Sequence, residues 1–101
     1  MLVTFEIWQL PISNNLTFRE YSTWEKMEKK PEWPDYVKVY ERTGDVGSFN
    51  PKAYLERIFE EFNMERPNDF YGRSLSVSDV VRINGLSYFC DICGWNDLTD
   101  F

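Results

Sequence analysis

The chain has 101 residues, 43% apolar and 18% aromatic, with 11 Lys and Arg against 17 Asp and Glu and no His, for a net charge of −6. That length supports one domain with one modest core, filled more by rings than by aliphatic side chains, and the composition excludes a low-complexity or disordered chain. The acidic balance argues against direct nucleic-acid binding, which rests on cations neutralising phosphates, and the missing His removes the commonest general base and metal ligand.

The first residues, Met1-Leu-Val-Thr-Phe-Glu6, lack the basic region and apolar run of a signal peptide, and no stretch has the roughly 20 apolar residues a membrane helix needs. A cytoplasmic location, no membrane contact and two reduced cysteines are therefore expected. Residues 2 to 10 alternate, with Val3, Phe5 and Ile7 on one side and Thr4, Glu6 and Trp8 on the other, the period of a half-buried strand ended by Pro11. Asn14 and Asn15 mark a turn. Thr17 and Glu20 have capping-box spacing, which predicts a helix from Phe18 to Lys29 with Phe18, Tyr21, Trp24 and Met27 along one face. Pro31 and Pro34 break it, and Tyr36-Val-Lys-Val-Tyr-Glu41 resumes a strand pattern. Asn50 as cap, Pro51 at the first helical position, and Leu55, Ile58, Phe59 and Phe62 at i, i+3, i+4 and i+7 predict a second helix.

Asn84-Gly85 between two apolar runs is a strong hairpin signal, because a two-residue type I′ turn needs positive φ at both positions. Counting outward pairs Ile83 with Leu86 and Val81 with Tyr88, so these four and Cys90 share the face expected to be core, while Val80, Arg82, Ser87, Phe89 and Asp91 share the other. The fold class is α+β in the order β-α-β-α-β-β, a mainly antiparallel sheet with both helices on one face. One domain spans residues 1–101.

Candidate chemistry is sparse. Cys90 and Cys93 have C-x-x-C spacing, but no further Cys or His completes a zinc site, and the motif ends a hairpin strand rather than opening a helix; free thiols, no metal and no cofactor are expected. Ser74, Ser76 and Ser78 have no His to act as base, so no catalytic residue is assigned. Asp79 after Ser76 and Ser78 has the pattern of a turn held by side-chain to backbone hydrogen bonds, and Asp69 with Arg73 suits an ion pair fixing the same loop. If the segment instead meets a partner, Asp69, Tyr71, Arg73, Ser74, Ser76, Ser78 and Asp79 are the contact candidates. Trp33 and Trp95 join them, since four Trp exceed what so small a core needs. Glu56, Glu60, Glu61 and Glu65 form an acidic stripe on the second helix, ordinarily a solvated face.

The chain resembles the YodL-like family nearly end to end. Ile7-Trp-Gln-Leu10, Tyr36-Val-Lys-Val-Tyr-Glu41 and Leu55-Glu-Arg-Ile-Phe-Glu-Glu-Phe-Asn63 are each similar to a family segment, and the most specific likeness runs from Pro67 through Asp-Phe-Tyr-Gly-Arg-Ser-Leu-Ser-Val-Ser-Asp-Val to Val81. Cys93 stands where the family pattern has an aromatic residue, so the C-x-x-C is a local departure. The resemblance implies no established activity, catalytic residue or cofactor. It implies a setting: Firmicutes and the polyvalent proteins of mobile elements, near antirestriction functions. The expected function is a noncatalytic protein-interaction module of a mobile genetic element. The alternative is an acidic inhibitor of a host defence nuclease, of anti-CRISPR or antirestriction type, that competes with nucleic acid for a basic groove. In both, the partner is a protein.

Overall fold

The computed structural model describes residues 1–98. It contains β1 (Leu2–Gln9), α1 (Tyr21–Lys26), a 3-10 turn (Trp33–Asp35), β2 (Val37–Asp45), α2 (Pro51–Met64), β3 (Val80–Ile83), β4 (Leu86–Asp91) and β5 (Gly94–Leu98). The strands form one sheet in the order β2-β1-β3-β4-β5, with every neighbouring pair antiparallel. The α+β class and element order are those expected, with β5 added after the hairpin.

The hairpin has the register counted from its turn: Ile83 opposite Leu86 and Val81 opposite Tyr88. Asn84 at φ 47° and Gly85 at φ 87° supply the two positive angles. Asn84 also extends the sheet, donating its N–H to Thr4 O at 2.9 Å and accepting Thr4 N–H on Oδ1 at 3.0 Å.

α2 forms as its sequence dictates. Asn50 Oδ1 accepts the Ala53 N–H at 3.2 Å, Pro51 opens the first turn, and Leu55, Ile58 and Phe62 are buried. They pack on Val3, Phe5, Ile7, Val81, Ile83 and Tyr88 from the sheet, together with Phe70 and Leu75. Rings dominate: Phe62 meets Phe5, Tyr40 and Phe70 edge-on at centroid distances of 5.9, 5.0 and 4.9 Å. Each fully buried side chain of this size contributes roughly 1.5–3 kcal/mol.

Four expectations are corrected. The helices do not share a face: α1 supplies Trp24 to a second core with Leu10, Leu16, Tyr36, Val80 and Phe89 on the side of the sheet opposite α2. Successive strand residues point to opposite faces, so Val80 and Val81 feed different cores, and the hairpin face assigned outward is half core, while Leu86 is exposed. The capping box does not form. Thr17 donates its hydroxyl to Pro11 O at 2.7 Å, Phe18 takes φ 68°, and Glu20 is extended without a side-chain cap, so α1 begins only at Tyr21. It also stops early. Glu28 takes φ 56°, Lys29 N–H bonds Trp24 O at 3.0 Å and Glu28 N–H bonds Glu25 O at 3.0 Å, the paired bonds of a Schellman ending. Asp69 and Arg73, finally, do not pair with each other, as described below.

Candidate functional site

The segment between α2 and β3, which carries the most specific sequence likeness, is pinned at intervals from Arg66 to Asp79. Arg66 lies over the Phe70 ring, 5.1 Å from its centroid, and donates from Nη2 to Gly72 O. Phe70 enters the core between Phe62 and Tyr40, and Asn63 Nδ2 holds Leu75 O at 3.1 Å. Gly72 is required by close approach: a Cβ there would lie 2.9 Å from Gln9 Oε1 and from two carbons of the Phe70 ring.

Gln9 at the end of β1 clamps the next residue on both sides. Its Nε2 donates to Arg73 O at 2.9 Å, and its Oε1 accepts the Arg73 N–H at 3.1 Å. The same Nε2 donates to Asp79 Oδ2 at 3.1 Å, which also accepts the Ser76 N–H at 3.0 Å. Asp79 N–H returns to Ser76 O at 3.1 Å, so the side-chain-held turn read from the sequence is present. Ser78 adopts φ 84°, a costly angle for a residue with a Cβ. Three partners hold it: its N–H donates to Cys90 O at 2.9 Å, its carbonyl accepts the Tyr36 hydroxyl at 2.7 Å, and its Oγ accepts the Phe18 N–H at 2.9 Å.

Asp79 is wholly buried. Burial pushes its carboxyl up to about 7, against the opposing pull of the Ser76 N–H, the Gln9 amide and the Arg73 guanidinium. Among the described residues Oδ1 has no hydrogen-bond partner and faces Arg73 Nη2 at 3.9 Å, because that nitrogen donates to Leu10 O at 2.8 Å instead. Burial and then the Asp79 charge raise the Tyr36 hydroxyl, and the same two causes, followed by Asp91 and Glu56, push the Cys90 thiol up to about 12.

Thus Arg73, Ser76, Ser78 and Asp79 come together, but turned inward, where they serve the loop. Asp69 is exposed and accepts the Tyr40 hydroxyl at 3.0 Å; Ser74 is exposed. Tyr71, between these anchors, is 91% exposed. Trp33 lies on the other face of the sheet, 4.4 Å from the Trp8 ring and with the Arg82 guanidinium over it. Trp95 packs edge-on to Phe59 and donates from Nε1 to Glu56 at 3.3 Å. Of the acidic stripe, Glu60 and Glu65 are exposed, Glu56 holds Trp95, and Glu61 takes both Arg42 nitrogens at 2.7 and 2.8 Å, which lowers the Glu61 carboxyl. Cys90 is a buried free thiol in β4, and Cys93 an exposed one in the turn before β5.

Gln9 and Tyr36 were not among the candidates, although they organise the loop. The signal for Gln9 was present: it continues the inward alternation of Val3, Phe5 and Ile7, and an amide at a core position needs polar partners.

The fold and this interlocked segment define a small α+β domain whose longest connection is a built element rather than a free loop. The model of the YodL-like domain matches residues 4–101, and the chain belongs to that family. It is similar to "Uncharacterized protein R785" of Acanthamoeba polyphaga mimivirus, 37% identical over 75 residues that cover 62% of this chain and 68% of the viral protein. No solved structure matches it.

Proposed function

We propose that this domain is a noncatalytic protein-interaction module that presents Tyr71 to a protein partner in the cytoplasm of a cell hosting a mobile genetic element. The observation that carries the reading is the contrast within one segment: Phe70, Leu75, Ser78 and Asp79 are buried, yet Tyr71 is 91% exposed. A loop backbone already pinned on both sides of the residue has little ordering entropy left to lose on binding, and Tyr is among the residues that dominate interface energetics. The viral relative and the family resemblance support the mobile-element setting. The loop is preferred over the carboxylates of α2, because Glu56 and Glu61 are engaged with Trp95 and Arg42.

The test is quantitative affinity capture from the native host with the wild type and Tyr71→Ala, after checking that the two unfold alike. A protein retained by the wild type and lost with the variant supports the reading. Identical capture by both would overturn it.

A further inference from the structure

The sheet ends at one side on β2, whose outer edge has a definite pattern of open backbone groups. Val46 donates its N–H to Met1 O at 2.9 Å, and Met1 N donates to Val46 O at 3.2 Å, so these two residues form a bonded pair. Antiparallel pairs alternate between bonded and non-bonded. Gly44, Arg42 and Tyr40, opposite Val3, Phe5 and Ile7, therefore direct their N–H and C=O to β1, whereas Asp45, Thr43 and Glu41 direct theirs outward. The far side of β1 agrees. Thr4, opposite Thr43, spends its N–H and C=O on Asn84. A register shift near Val39 limits the regular edge to residues 40–45.

The side chains beside this edge are also defined. Arg42 and Tyr40 turn toward α2, where they meet Glu61 and Phe62. Glu41, Thr43 and Asp45 lie on the opposite face, exposed, with Thr43 Oγ1 2.7 Å from Thr4 Oγ1. Among the described residues nothing lies within 4 Å of where a Cβ on Gly44 would sit, which leaves room for a large neighbouring side chain.

A second copy fits poorly. Self-pairing about Thr43 sets Glu41 against Asp45 twice, and self-pairing about Arg42 sets two guanidinium groups opposite each other; like charges directly opposed are destabilising. A cationic strand fits. We infer that the outer edge of β2 takes an extended segment of a partner protein that carries Lys or Arg opposite Glu41 and Asp45, four residues apart, and a bulky apolar side chain beside Gly44. The backbone groups of Glu41, Thr43 and Asp45 supply the affinity, and the two carboxylates supply the choice of partner. Their present cations, Lys38 for Glu41 and the terminal amine for Asp45, form exposed pairs of the weak kind that a partner's cation joins or displaces. The chain's net charge of −6 favours approach of such a segment. This surface lies beyond the Tyr71 loop.

The probe is an end-blocked peptide, Thr-Lys-Phe-Thr-Val-Lys-Thr, followed by amide hydrogen exchange in the full chain. Binding should slow exchange at Glu41, Thr43 and Asp45 by about tenfold or more and leave Arg42 and Gly44, already bonded to β1, unchanged. Replacing both Lys by Glu, or N-methylating the peptide amides that face β2, should weaken binding by about tenfold or more. Thr43→Pro, which removes an outward N–H and the hydroxyl contact to Thr4 while leaving the backbone bonds of β2 to β1 in place, should do the same. If Thr43→Pro unfolds, the N-methylated peptide still decides. No binding, equal affinity for the Glu peptide, indifference to N-methylation, or protection of the three amides by rising protein concentration alone would each overturn the inference. Tyr71→Ala should bind the peptide like the wild type, so failure here is separable from failure of the loop reading.

Discussion

Replacing Asp79 by Asn should change how stability depends on pH, in a direction set by the buried geometry. Both hydrogen bonds to this carboxyl fall on Oδ2, from Gln9 Nε2 and Ser76 N–H, so an Asn with its oxygen there keeps both, while its Nδ2 replaces the Oδ1 that faces Arg73 Nη2, a cost that does not vary with pH. Burial raises the folded-state value from 3.8 to about 7. The folded protein therefore holds a proton that the unfolded chain has released between these limits, and stability falls as pH rises from about 4 to about 7, then levels. At about 1.4 kcal/mol per tenfold change in proton affinity, the whole interval amounts to at most about 4 kcal/mol, of which about 3 falls between about pH 5 and about pH 8. The groups facing the carboxyl are Arg73, Tyr36 and Cys90, and the two with raised values, Tyr36 and Cys90, remain neutral across that window. Glu41 and Glu61 are lowered, so their stabilisation is present above the ordinary carboxylate range and is lost as pH falls. They act equally in both proteins and cancel in the comparison. Urea unfolding of wild type and Asp79→Asn at about pH 5 and about pH 8 measures the difference; with a slope near 2 kcal/mol per molar, the wild-type midpoint should drop relative to the variant by about 1.5 M. A pH-independent difference, or a wild type that gains on the variant as pH rises, would refute the account of a desolvated carboxylate.

Two further outcomes test the same architecture. Gly72→Ala should cost about 1–3 kcal/mol, since its Cβ would press on the buried Phe70 ring and on the Gln9 oxygen that holds Arg73; an unaltered urea midpoint would contradict this. In the native protein a disulfide reagent at about pH 8 should label Cys93 quickly and Cys90 only on unfolding, because Cys90 is buried with its thiol pushed up to about 12; rapid labelling of both would show that β4 opens.

Local rules account for the parts of the fold that depend on neighbours in the chain. The alternation of Val3, Phe5 and Ile7, the Asn50-Pro51 start of α2 and the register from Asn84-Gly85 were all legible, because period, capping and positive φ are properties of a few consecutive residues. Chain-local reasoning failed where distant groups compete. Thr17 had the spacing of a cap, but its hydroxyl is held on Pro11 O and Ser78 Oγ takes the Phe18 N–H, with Phe18 at φ 68°, so α1 begins later. Asp69 and Arg73 looked like a pair until Tyr40 and Leu10 O supplied their partners.

The sequence by itself determined that this is an α+β domain of the YodL-like family, which strand residues alternate, and that Asp79 belongs to a side-chain-held turn. Only the tertiary structure decided that the sheet is covered on both faces, that Gln9 and Tyr36 lock the signature segment, and that Tyr71 alone of its neighbours Phe70 and Gly72 stands 91% exposed. The physical reason is range: propensity and period act within a few residues, whereas burial and hydrogen-bond partnership are set by groups some 40 to 70 positions apart, such as Tyr36 with Ser78 and Gln9 with Asp79.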